Sequence, residues 1–442
     1  MLRRMRAALA LFVMLFAAVN ALSGDSVNTL VIYDQRVTDL ENYTKFFKSL
    51  KESSYDKSSN QREYRVQFAA VNNGDAELLQ LYRNDDKLYD NLIIFPLKTR
   101  QISKEISTAK LLEFYKDGGD ILAVTSPEGL VEPVRLFLNE LGIYPSPKNA
   151  VLKNFNEDGP SSKHQISIAN SVNKYVYDGT EELNLEYDGS SALLDNGEYI
   201  VEILRAPRES VCKNTNSKEE DWSVGSQGHL IAGFQSLTNA RTTWVGSSSF
   251  FDDEHYSANG AFIEELTKWA FSEKSVIRSV GATHNHASGA SYEEIPYKIK
   301  DEVVYEIGLS IWDGKKWAPF SADDVQFELR LVDPYYRLTL SPGRVTEDTQ
   351  YYTTGTFKLP DHHGMFTFLT EYKRSGLSFV TESDTRAIRH LANDEYPRSY
   401  EITNSWVYLT AIGSVIISFI LFVVFFIASS KNIPVDSVKK QQ

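Results

Sequence analysis

The residues best suited to chemistry gather in a few short stretches. Gly246-Ser247-Ser248-Ser249 follows an apolar run and precedes Phe250-Phe251-Asp252-Asp253-Glu254. A serine on a strand-to-helix turn can present a nucleophile, as the G-x-S-x-G elbow does. That elbow is absent here, and hydroxyls at such a turn also cap the segment that follows. Asp252-Asp253-Glu254 reads either as an acidic run for a divalent ion or as a solvated turn. His284-Asn285-His286 and His362-His363 offer imidazoles, with no cysteine or acid at the spacing of a metal site. Gly118-Gly119 ends a helical stretch and precedes an apolar run, the reverse of the order a phosphate cradle needs. These stretches predict no catalytic, cofactor-binding or metal-binding residue. Cys212 is the single cysteine and falls in a polar stretch, 210–220, that reads as a loop.

Strands and helices must position these side chains. Residues 29–33 (TLVIY) form an apolar run ending in Asp34, with further runs at 66–71, 91–97 (NLIIFPL) and 121–125 (ILAVT). Between them lie helical spacings at 43–51 and 103–116, the latter stopped by Gly118-Gly119, and then 130–141, stopped by Gly142. Continuous apolar strands alternating with helices predict a parallel sheet covered on both faces. Runs at 228–235 and 242–246 and a helix over 258–272 extend this α/β domain to residue 280, with a β-rich insertion over 166–205. Residues 281–294, rich in Gly, Ala, Ser and His, read as a linker. From 295 to 400, alternating runs separated by Asp313-Gly314, Asp333-Pro334, Pro342-Gly343 and Pro360-Asp361 predict an immunoglobulin-like β-sandwich.

The two ends describe a membrane topology. Arg3, Arg4 and Arg6 precede an apolar stretch, 7–19, and Val19-Asn20-Ala21 offers small residues for cleavage, so 1–21 reads as a signal peptide. Residues 406–428 carry no charge and match the roughly 20 apolar residues a membrane-spanning helix needs. Lys431, Lys439 and Lys440 follow, whereas Asp394, Glu395, Arg398 and Glu401 precede. The positive-inside rule puts the tail 429–442 in the cytosol and residues 22–405 in the lumen. Lys439-Lys440-Gln441-Gln442 has the form of a dilysine retrieval signal of the endoplasmic reticulum. Within the span, Thr410, Ser414 and Ser418 recur every four residues beside Gly413, and Phe419, Phe422, Phe425 and Phe426 lie on the opposite surface. Such a stripe of small residues lets another helix approach closely.

Charge narrows the partners. The chain carries a net −13; the leader holds +3 and the tail +2, leaving −18 on the part between. A nucleic-acid partner would need a basic surface and is not expected. With one cysteine there is no internal disulfide, so buried apolar surface must hold the lumenal part together. Asn42-Tyr43-Thr44 is an N-glycosylation sequon, placed in a helical stretch after the first strand.

Several blocks resemble one family. Residues 28–34 (NTLVIYD), 118–127 (GGDILAVTSP) and 246–253 (GSSSFFDD) with 259–278 look like its α/β segments. The strongest likeness lies in 305–340, through Glu306-Ile307-Gly308, Trp317-Ala318-Pro319-Phe320, Asp324-Val325-Gln326 and Asp333-Pro334-Tyr335. Residues 355–372 are similar to its G-x-F-x-x-P-D…G-x-F-x-F segment, and the span and dilysine end complete the match. The chain thus resembles the single-span Wbp-type (DDOST) subunits of oligosaccharyltransferase, the complex that N-glycosylates nascent chains in the endoplasmic reticulum. The resemblance implies an accessory subunit that assembles and stabilises the complex, with catalysis in a separate multi-spanning subunit and no cofactor of its own. It implies ribophorin-like and Dad-like partners. It also implies a flavodoxin/amidotransferase-like α/β domain without the nucleophilic cysteine. Two other readings stay open: an α/β hydrolase-like enzyme using residues 247–253, and a lumenal cargo or glycan receptor.

Overall fold

A computed structural model describes residues 26–52, 63–72, 79–84, 86–99, 101–103, 106–128, 130–155, 164–167, 173–179, 184–214, 221–314, 316–396 and 404–430. The leader 1–21 and the tail with Lys431, Lys439 and Lys440 lie outside the described residues.

The apolar runs become the centre of a nine-stranded sheet. Strands β1 (Ser26–Tyr33), β2 (Glu63–Ala70), β3 (Asn91–Ile94) and β4 (Asp120–Val124) pair in parallel in the order β2-β1-β3-β4. Short strand β5 (Ile143–Pro145) and strand β6 (Ala150–Asn154) follow, then β7 (Ala192–Leu194) and β8 (Ile200–Arg205). Next come β9 (Ser210–Asn214), β10 (Ser223–Val224), β11 (His229–Gln235) and β12 (Arg241–Val245). β12 joins β4 in parallel, Thr242 opposite Ile121, and hands the sheet over to antiparallel β11, β7 and β5, with β8 also on β11. β10, β9 and β6 form a separate three-stranded sheet.

Both faces of the main sheet are covered, which is why its strands read as unbroken apolar runs. Val31, Ile93, Leu122 and Val245 point to one face, under helices α1 (Thr44–Glu52) and, later in the chain, Tyr256–Ala270. Leu30, Ile32, Leu92, Ile94, Ile121 and Trp244 point to the other, under α2 (Thr108–Lys116) and α3 (Glu132–Glu140). The Tyr256–Ala270 helix, α4, buries Phe262, Ile263, Leu266 and Trp269, each such side chain contributing about 1.5–3 kcal/mol. α2 is capped by Ser107, whose Oγ accepts from the Lys110 amide, and begins at Thr108, five residues after the start that spacing predicts. It ends where Gly118 adopts φ +78° and the Gly119 amide donates to the Phe114 carbonyl at 2.9 Å. A Cβ on Gly119 would stand 2.3 Å from the Phe114 ring, so glycine is required there.

The stretch 281–294 is not a linker. Strand β13 (Ile277–His286) runs through its first half and pairs antiparallel with β14 (Glu302–Trp312), Ala282 opposite Ile307. Composition misled because β13 alternates polar and small residues at a sheet edge, with Val280 49% exposed. The remaining strands are β15 (Trp317–Pro319), β16 (Gln326–Arg330), β17 (Pro334–Thr339), β18 (Ser341–Val345), β19 (Gln350–Lys358), β20 (Gly364–Tyr372) and β21 (Val380–Ile388). They form two antiparallel sheets, β13-β14-β19-β18 with β15 on β14, and β17-β16-β20-β21. Tyr305, Ile307 and Leu309 of the first and Phe327, Leu329, Phe366 and Phe368 of the second share one core.

A short strap joins the β-rich domain to the α/β domain. Over five consecutive residues its backbone is bonded: Ser375 O from Asn173 Nδ2, Gly376 O from Trp269 Nε1 and Leu377 O from Gln235 Nε2; Ser378 N to Ser275 O; and Phe379 N to Asn239 Oδ1. Gly376 sits at φ +92°, where a Cβ would lie 2.6 Å from Asn173 Oδ1. Fully buried Arg241 braces the joint from behind. Its guanidinium donates to the carbonyls of Trp269, Lys274 and Ser275 and to Gln235 Oε1, and it lies over the Trp269 ring.

Beyond Ile388, among the described residues, there is one further element, helix α5 (Ser405–Ser430). Its residues 405–429 are long and apolar enough to cross a membrane.

Candidate functional site

Ser247, Ser248 and Ser249 follow β12 as expected, and the hydroxyls of Ser247 and Ser249 are spent locally. Ser247 Oγ donates to the Asp188 carbonyl and accepts from the Phe250 amide at 3.2 Å. Ser249 Oγ donates to the same carbonyl at 3.0 Å and shares a hydrogen bond of 2.9 Å with Ser247 Oγ. Asn259 of α4 then ties Glu186 N, Glu186 O and Phe250 O together. These are capping bonds that seat the Phe250-Phe251 pair in the core. None of the bonds to the three serines comes from an imidazole or a carboxylate, the partner a serine nucleophile needs.

In an open α/β sheet, ligands sit outside the carboxyl ends of the strands where the strand order reverses. Here that place lies between the ends of β1 and β3, and Asp34 occupies it. Its buried carboxylate accepts from Arg36 N, Arg36 Nε and Nη2, Lys98 N at 3.1 Å and Asn72 Nδ2. Asp34 thereby draws together the loops after β1, β2 and β3. The Arg36 hydrogen bonds outweigh burial and pull its carboxyl down to about 2. Such a carboxylate is a structural anchor with no tendency to take a proton at neutral pH. A charge directly after an apolar strand was visible in the sequence; its five donors, from three loops, were not.

The histidine pairs are bonded within the fold. His284 Nδ1 bonds the Tyr297 hydroxyl and Nε2 bonds Asp384 Oδ2, both at 2.9 Å, with the ring stacked on Phe368. His286 Nε2 meets the Ile295 carbonyl, and His362 Nδ1 faces the Tyr335 hydroxyl at 3.3 Å. Among the described residues no three His, Cys, Asp or Glu side chains converge as metal ligands would. Cys212 does not lie in a loop. It is buried in β9, opposite Leu152 of β6 and Ser223 of β10, and burial pushes its thiol up, away from the reactive thiolate.

Asn42 is exposed in a short 3-10 turn, Leu40–Tyr43, that leads into α1. On α5, the hydroxyls of Thr410 and Ser414 donate to the carbonyls of Val407 and Ala411 one turn back. Ser418 is exposed beside them, and a Cβ on Gly413 would meet nothing within 4 Å.

Fold and site together define a class: a protein with an α/β domain strapped to a β-rich domain, one apolar C-terminal helix, and polar side chains spent on internal ties. The family described as OST48, N-terminal domain, matches residues 20–273, and OST48 middle domain matches residues 284–430. The chain is 48% identical over 422 residues to the dolichyl-diphosphooligosaccharide-protein glycosyltransferase subunit WBP1 of Saccharomyces cerevisiae, covering 95% of each chain. It is 30% identical to the subunit wbp1 of Schizosaccharomyces pombe, covering 91% and 93%. With the 48 kDa subunit of the same transferase in Drosophila melanogaster it shares 27% over 98% of each chain. The chain belongs to the OST48 family.

Proposed function

We infer that this chain is a subunit of the oligosaccharyltransferase complex, which moves a dolichyl-diphosphate-linked oligosaccharide onto the asparagine of Asn-x-Ser/Thr in nascent proteins. The observation that carries this is the 48% identity to the yeast subunit along 95% of both chains.

Within the complex it acts as an accessory subunit that assembles and stabilises rather than catalyses. The serine turn and Asp34, the two places where an α/β sheet would present chemistry, support this, since both are committed to internal hydrogen bonds. The partners in this reading are the multi-spanning catalytic subunit and ribophorin-like and Dad-like subunits, with the stripe Thr410, Gly413, Ser414 and Ser418 as the face that meets another helix. The chain is a type I protein of the endoplasmic reticulum membrane: 1–21 is removed, 22–280 and the β-rich domain to 400 lie in the lumen, 406–428 spans, and 429–442 is cytosolic with Lys439 and Lys440 as retrieval signal. The parallel order β2-β1-β3-β4 supports a flavodoxin-like reading of the first domain, and the two facing sheets support an immunoglobulin-like reading of the second.

The test is a mild-detergent pull-down of the tagged full chain from microsomes, with glycosyl transfer to an Asn-x-Thr peptide assayed in the eluate. A multi-spanning transferase and activity are expected to co-purify, and the Ser248→Ala variant is expected to retain that activity. If the chain purifies alone, the subunit reading fails. If Ser248→Ala abolishes transfer in an intact complex, the accessory role fails.

A further inference from the structure

The sequon Asn42-Tyr43-Thr44 is folded in a way that divides its parts. It spans the junction of the 3-10 turn and α1, with Thr44 at φ −63° and ψ −39°. In helical backbone, residues two apart do not share a face, so the Asn42 amide and the Thr44 hydroxyl are directed apart. Tyr43 between them is buried against Phe95, ring centroids 5.0 Å apart. Asn42 itself is exposed, leaving room for a bulky group.

One residue from far along the chain holds this arrangement. Thr44 Oγ1 donates to Asp253 Oδ2 and the Lys45 amide donates to Asp253 Oδ1 at 2.8 Å. Lys45 Nζ donates to the Asp253 carbonyl at 2.7 Å, and the Asp253 amide donates to the Asn42 carbonyl at 2.8 Å. Asp253 thus holds the Asn42 carbonyl, Lys45 and the Thr44 hydroxyl, the hydroxyl that defines an N-glycosylation sequon. It stands 209 residues after Thr44, so the grip cannot form until the chain has been made past the end of β12.

We propose that Asn42 is an N-glycan acceptor with a closing window, open while the chain is incomplete and shut when Asp253 docks on Thr44 and Lys45. The proposal rests on the lumenal placement given above. In the transfer, Asn42 Nδ2 bonds to C1 of the sugar, the C1–O bond to the lipid diphosphate breaks, the diphosphate leaves with that electron pair, and the amide proton passes to a base of the transferase. Asn42 in the finished chain is no longer a substrate, and a glycan already attached stays on an exposed surface.

For the test, the full chain is produced in a host without N-glycosylation and purified in detergent. It is offered to active oligosaccharyltransferase with lipid-linked oligosaccharide, and the Asn42 peptide is quantified by mass spectrometry. Native chain is expected to be modified at less than one-tenth the rate of urea-unfolded chain, and folded Asp253→Ala at least tenfold faster than native. If Asp253→Ala does not fold, Asp253→Asn, which keeps one acceptor oxygen, is read in its place with a smaller gain expected. Equal rates for native and unfolded chain, or no gain in a folded Asp253 variant, overturn the proposal. Synthesis of a Glu347→Asn variant into microsomes adds an Asn-x-Thr acceptor on an exposed turn. If that acceptor is glycosylated and Asn42 is not, this inference alone fails; if neither is, the lumenal placement fails and takes the inference with it.

Discussion

Asp34 and Asp120 are both buried, and their surroundings push them in opposite directions. Arg36 pulls the Asp34 carboxyl down to about 2, whereas burial lifts Asp120 to about 6 despite the Arg241 amide and charge beside it. A depressed folded-state value means that the folded protein binds fewer protons than the unfolded chain. The Asp34 contribution is therefore full above pH 4 and lost as pH falls through 2. Asp34→Asn is expected to cost about 2 kcal/mol at pH 7 and almost nothing near pH 2, read from denaturant midpoints at both. For Asp120 the sign reverses: the folded state holds the proton longer, so stability falls as pH rises from about 4 to 6. Asp120→Asn is expected to flatten that fall, and an unchanged slope would show that Asp120 is not its source.

At the scale of elements, the joint between domains depends on Arg241 and Gln235, at the facing ends of β12 and β11. Replacing Arg241 by Met strands three carbonyls and the Gln235 amide oxygen. The expected loss is about 3–5 kcal/mol, the usual cost of breaking a buried charged network. Gln235→Leu removes the bond to the Leu377 carbonyl and the acceptor of Arg241 Nε, leaving the guanidinium its three carbonyls, and is expected to cost only about 1–3 kcal/mol. Comparable losses for the two would mean that the strap, not Arg241, carries the joint. None of this could be read from the sequence, because the strap residues lie 107 to 202 positions from most of their partners. The runs TLVIY, NLII and ILAV were legible as buried parallel strands, since both faces of each had to be apolar. Strands β13, β17 and β18 were not: at sheet edges they are largely exposed, β13 and β18 carry polar and small residues, β17 opens on Pro334, and His284 and Gly281 read as linker composition. Cys212 was misplaced for a related reason, since its polar neighbours Ser210 and Asn214 are themselves in a strand.

For the whole molecule, the small-residue stripe on α5 makes a prediction about assembly. Thr410 and Ser414 already satisfy their hydroxyls on their own helix, so a neighbour would be selected by close approach rather than by hydrogen bonds. Gly413→Leu is expected to reduce recovery of membrane partners in the pull-down at least fivefold, whereas Ser414→Ala, which stays small, leaves it unchanged. Equal effects would assign the face to polar contacts instead.

The order of the main sheet has a cost during synthesis. β4 finds its parallel neighbour β12 about 120 residues later, with Thr242 opposite Ile121. Until then β4 presents an unpaired row of amides and carbonyls beside a flat apolar face, a template for joining strands of other chains. Closing so long a loop costs little at equilibrium, but non-local pairing is slow. The half-made first domain is thus the stage at which this protein is most prone to aggregate, and substitutions that delay β12 should lower yield more than they lower the stability of what does fold.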